Sequence, residues 1–168
     1  MQLDKVTRLF LLTTAALLLY WLDSLILLFG VMPGGLCLPL MVSLFAVWVL
    51  NFREAAVLTL LWIFLGGMIF RGFEGFLYYA PAAGVAFLTI WGLRAVLGEG
   101  QIWIAGSLCA MAYGIAYLLM LIWLQRTLSW LLFFPTVMFY NIIAGLVMGL
   151  CAQLVIIKGK KLWKTIFK

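Results

Sequence analysis

Read for the alternation of apolar and polar positions, the chain divides into six apolar runs separated by short polar punctuation. The first run covers about 6–28. A turn at 30–35 (Gly30-Val31-Met32-Pro33-Gly34-Gly35) leads into the second, which ends at Leu50 before Asn51-Phe52-Arg53-Glu54. A third, short run over 55–70 leaves through Gly66-Gly67-Met68-Ile69-Phe70-Arg71-Gly72-Phe73-Glu74-Gly75, a glycine-rich stretch that predicts tight turns. The fourth covers about 76–96, with Pro81 early and Arg94 late. The fifth covers 102–124 and the sixth about 129–157, with Pro135 in its first part. A spanning helix takes roughly 20 mostly apolar residues, so the pattern predicts an all-α polytopic membrane protein with six transmembrane helices. Five spans follow if either short segment fails to cross, and four if the second and third form a re-entrant pair. A closed β-barrel requires alternating strands, which runs such as Ala15-Ala16-Leu17-Leu18-Leu19-Tyr20-Trp21-Leu22 do not supply.

Composition agrees with that solvent. Of the 168 residues, 68% are hydrophobic and 10% charged, too little polar surface for a soluble domain. One helical domain over 1–157 and a basic tail over 158–168 account for the chain. The first run has no small-residue cleavage site and reads as a retained helix rather than a signal peptide.

Charge gives an orientation. Cytoplasmic loops are enriched in Lys and Arg. With six spans, one side collects Lys5, Arg8, Arg53, Arg94, Lys158, Lys160, Lys161, Lys164 and Lys168, and the other only Arg71 and Arg126. Both termini are therefore expected inside. The tail lysines set topology near anionic headgroups, with docking to a cytoplasmic partner as the other reading. This distribution gives the net charge of +6 no nucleic-acid role. Trp21, Trp48, Trp103, Trp123, Trp130 and Trp163 lie near predicted span ends, as interfacial anchors do.

Candidate chemistry is sparse. The chain has no histidine, and Cys37, Cys109 and Cys151 lack paired spacing, so they read as small core residues. No metal set, no Gly-x-Ser-x-Gly motif and no second intramembrane aspartate accompany Asp23, so no catalytic residue, cofactor or metal is expected. Asp23, near the outer end of the first run, is either solvated at the interface or functional. The other acids have basic neighbours: Asp4 beside Lys5, Glu54 beside Arg53, Glu74 near Arg71 and Glu99 near Arg94. Asn141 is either hydrogen-bonding glue between helices or a ligand contact. The small residues of Ala82-Ala83-Gly84, Ala110-Met111-Ala112-Tyr113-Gly114 and Ala144-Gly145-Leu146-Val147-Met148-Gly149 suit close packing within the bundle or against a partner helix.

The layout resembles a known family. Phe29-Gly30-Val31-Met32-Pro33 precedes the second run, and Gly75-Phe76-Leu77 and Ala80-Pro81-Ala82-Ala83-Gly84 open the fourth. Phe134-Pro135-Thr136-Val137-Met138-Phe139-Tyr140-Asn141 leads the last. In these positions, and in its basic tail, the chain resembles the rod-shape-determining MreD family. It departs where that family often has Pro-Asp after the first loop and an aspartate ending the third span, since here Gly34 follows Pro33 and Arg71 and Glu74 occupy the later region. The resemblance implies a noncatalytic scaffold in the bacterial inner membrane that binds a bitopic partner of the MreC type and the peptidoglycan elongation machinery. The family is similar in turn to the S components of energy-coupling-factor vitamin transporters. That rival implies an outer ligand pocket lined by Asp23, Arg71, Glu74, Arg126 and Trp130. Asp23, Arg71, Glu74, Arg126 and Asn141 are the candidate partner or ligand contacts.

Overall fold

The computed structural model describes residues 4–28 and 36–166, with side chains of the last helix described as far as Gly159. The expected turn at 30–35 and Lys168 lie outside the described residues, as do the side chains of Lys160, Lys161 and Lys164. Lys158 is exposed. The described residues form helices and no strand: α1 (Lys5–Leu28), α2 (Leu40–Val49), α3 (Phe52–Gly66), α4 (Gly72–Arg94), α5 (Ile102–Gln125) and α6 (Phe134–Ile166). Four helical stretches, Lys5–Ile26, Phe52–Arg94, Glu99–Gln125 and Leu128–Gly159, are long and apolar enough to cross a membrane. The all-helical expectation therefore holds, while four such stretches stand where the sequence pattern predicts six spans.

The second run differs most from its expectation. Its helix, α2, has ten residues, about 15 Å of rise against a hydrocarbon core of roughly 30 Å. It is apolar all round and packs on α1, α3, α4, α5 and α6, with Leu40, Leu44, Ala46 and Val47 fully buried. Lipid tails are as apolar as leucine, so packing and polar contacts rather than water exclusion hold such a helix. Ser43 Oγ provides one polar anchor, lying 2.9 Å from Thr59 Oγ1 and accepting the Trp62 indole N–H at 3.0 Å, both from α3. At the other end of α2 the Leu50 carbonyl accepts from Arg94 at 3.2 Å.

The glycine-rich exit of the third run is helical rather than a loop. Asn51 caps α3 by accepting the Glu54 N–H at 3.0 Å, and helix continues through a π-helical turn, Gly67–Arg71. The 43 residues of Phe52–Arg94 would extend about 65 Å if straight. Instead the chain folds back at Gly72 (φ 66°, ψ 179°). Phe52 meets Trp91 at 4.6 Å between ring centroids and Phe64 meets Phe76 at 6.1 Å, so α3 and α4 pack antiparallel. That backbone conformation is essentially restricted to glycine. Gly72→Ala is expected to destabilise the protein by about 1–3 kcal/mol, read from thermal unfolding in detergent. Gly98→Ala, whose added Cβ meets nothing within 4 Å at a negative φ, should change little. Gly66 and Gly67 serve packing, because a Cβ on either would press into the Tyr20 or Phe76 ring.

α5 and α6 form the closest pair. A Cβ on Gly106 would collide with the Gly145 carbonyl and lie 2.7 Å from Gly149 Cα, and one on Gly149 would lie 2.6 Å from Trp103 Cα. The backbones therefore touch, as small-residue helix pairs in membranes do. Pro135, at the second position of α6, costs little because first-turn N–H groups have no intrahelical acceptor.

Candidate functional site

The α1 face formed by Thr13, Ala16, Tyr20 and Asp23 is buried, and the spacing of three, four and three residues places these side chains on one helical stripe. Asp23 is fully buried, which overturns the solvated reading of this residue. Its Oδ2 accepts from Arg71 Nη2 at 2.7 Å and its Oδ1 accepts the Leu36 N–H at 2.8 Å. Arg71, whose side chain is 8% exposed, was expected beside Glu74 but pairs with Asp23, 48 positions away. Glu74 stands exposed in the first turn of α4. Burial explains the preference: the Asp23 carboxylate, out of contact with solvent, needs a neutralising partner, whereas the exposed Glu74 does not.

Aromatic rings enclose the cation. The Arg71 guanidinium carbon lies 4.5 Å from the Tyr79 ring centroid and 5.3 Å from that of Tyr20, within the range of cation–π attraction. From Phe70 the rings run through Tyr20 (5.7 Å), Tyr79 (4.8 Å), Tyr113 (5.7 Å) and Tyr117 (6.0 Å), which connects α1, α4 and α5. Trp62 of α3 packs on both Tyr20 and Tyr79. Cys37 is buried, as expected, and its Sγ also lies 3.2 Å from the Tyr79 hydroxyl. It adopts the left-handed φ of 52° just before the tight turns that start α2. The segment leading into α2 is thus attached to α1 by Leu36 and to α4 by Cys37.

The other candidates lie elsewhere. Arg126 is exposed and ends α5 in the left-handed conformation (φ 51°, ψ 35°), while the nearby Trp130 indole donates to Gln125 Oε1 at 2.6 Å. Asn141 is buried on α6 and donates to the Val137 carbonyl of its own helix at 2.8 Å. It packs where a Cβ on Gly114 of α5 would meet it, so it contacts a neighbouring helix without bonding to it through that amide N–H. The structure brings Asp23 and Arg71 together and leaves Glu74, Arg126 and Asn141 outside their cluster. Tyr20, Tyr79 and Tyr113 do not stand out in the apolar pattern, although Tyr20 precedes Asp23 by three residues and Tyr113 and Tyr117 share an α5 face at mid-span.

Chemically, the cluster is a packed electrostatic lock. Breaking it would expose an unpaired charge to a low-dielectric interior. Among the described residues, no group of three or more Cys, Asp or Glu side chains is placed to hold a metal ion. Compared with protein-family models, curated proteins and solved structures, the chain matches none.

Proposed function

We propose that this chain is a noncatalytic scaffold subunit of a bacterial cell-shape complex, of the MreD type. It lies in the inner membrane as a six-span bundle with both termini in the cytoplasm. Its lipid-facing sides bind a bitopic partner such as MreC and through it the peptidoglycan elongation machinery. The observation that carries this reading is the engagement of Asp23 with Arg71 inside a close-packed aromatic core. Under the vitamin-transporter reading these two residues line an outer pocket, whereas here each neutralises the other and both are buried. A scaffold needs a rigid interior and outward-facing apolar surface, and Leu60, Phe64, Leu88, Leu119 and Phe139 are among the exposed large apolar side chains. The fold-back at Gly72 supports counting α3 and α4 as two crossings, the sixth crossing rests on the ten-residue α2 and the segment leading into it, and the orientation rests on the nine-to-two distribution of basic residues.

Affinity purification from native membranes after mild crosslinking, with mass spectrometry of what is retained, tests the assignment. A single-span protein with a large periplasmic domain is expected, together with cell-wall elongation proteins. Recovery of ATPase subunits in their place would contradict the assignment.

A further inference from the structure

Between α1 and α6, both of which pack on α2, lies an apolar groove lined by Leu12, Met41, Val42, Phe45, Ala152 and Val155. It holds about 170 Å³ and exposes no polar lining. That is below the roughly 300–1,000 Å³ of pockets for compact drug-sized ligands, and suits a short segment of a narrow aliphatic chain.

Both walls become basic in the same direction. On α1, Arg8 and Lys5 precede Leu12 by four and seven residues and therefore lie on the same helical face. Each is about one further turn, roughly 5 Å, toward the N-terminal end. On α6, Lys158 follows Val155 by three residues, one turn toward the C-terminal end. Arg8 is half-buried, and Lys5 and Lys158 are exposed. Asp4, the acid at this end of α1, accepts the Lys5 backbone N–H at 2.8 Å and so caps the helix. An apolar slot ending in three cations one to two turns further along has the polarity of a phospholipid: acyl chain within the hydrocarbon, phosphate at its edge.

We propose that this groove holds a segment of one acyl chain of an anionic phospholipid whose phosphate is bound by Lys5, Arg8 and Lys158. The site needs only that the helices lie in a bilayer and is independent of the scaffold assignment. Removal of a cation weakens binding of the anionic lipid by about fivefold, the usual contribution of one basic side chain near an anionic surface. Filling the groove weakens binding of any two-chain lipid.

The test uses the purified full chain, delipidated in mild detergent and titrated with phosphatidylglycerol or phosphatidylcholine, with bound lipid counted by native mass spectrometry. Wild type is expected to retain one phosphatidylglycerol in clear preference to phosphatidylcholine. Lys5→Gln/Arg8→Gln, with the tail lysines intact, is expected to lose that preference. Val155→Phe is expected to lower retention of both lipids, and the charge variant carries the test if Val155→Phe fails to fold. Equal retention of the two lipids by wild type would overturn the proposal, as would a preference that survives the charge substitutions. Crosslinking from position 155 to a protein helix instead of lipid would also overturn it.

Discussion

Replacing Arg71 by methionine is expected to destabilise the protein by about 3–5 kcal/mol, the usual cost of stranding one member of a buried ion pair. The Asp23 carboxylate would keep the Leu36 N–H but lose the guanidinium that neutralises it, in a site with no exposure to solvent. Three parts of the fold converge there: the end of α1, the segment leading into α2, and the reversal between α3 and α4. The loss should therefore loosen all three together. Asp23→Leu/Arg71→Met should recover most of the stability, because an apolar replacement for a buried pair is often neutral or better. Equilibrium unfolding in mixed micelles, followed by helix content, measures both variants.

The second large effect is expected at the α5–α6 contact. Gly106→Ala places a methyl group against the Gly145 carbonyl and Gly149 Cα, backbone atoms that cannot rotate away. A cost of about 1–3 kcal/mol is expected from such overpacking, with Gly106→Val at or above the top of that range. Gly84→Ala and Gly92→Ala on α4 provide the contrast. Their added Cβ atoms meet nothing within 4 Å, and better helix propensity should leave them neutral or more stable by up to about 1 kcal/mol. The same unfolding assay separates the two classes. A uniform response to all three alanine substitutions would mean that α5 and α6 do not approach as closely as described.

Hydrophobic patterning reveals helices in lipid more readily than it reveals which faces meet. The long runs that became α1, α5 and α6 are legible because about 20 apolar residues have few alternatives to a helix in a bilayer. The packed faces are not, because buried and lipid-facing positions are both apolar. Leu18 is 60% exposed and Leu58 fully buried, and nothing in their local sequence distinguishes them. The Gly66 to Gly75 stretch reads as a loop by its glycine content. It proved helical because Gly66 and Gly67 make room for rings and Gly72 alone supplies the reversal. Asp23 was recognisable as a costly residue. Its partner was not, because proximity in sequence favoured Glu74 for Arg71, while burial of both groups in the fold pairs Arg71 with Asp23 instead.

The central claim is that Asp23 and Arg71 form one electrostatic lock within the core. Its most direct test is a double-mutant cycle on unfolding free energy, built from Asp23→Asn, Arg71→Met and the double variant. A coupling of about 2–3 kcal/mol is expected, the upper range for residues in one buried network. Additivity within about 0.5 kcal/mol, the behaviour of independent sites, would contradict the claim.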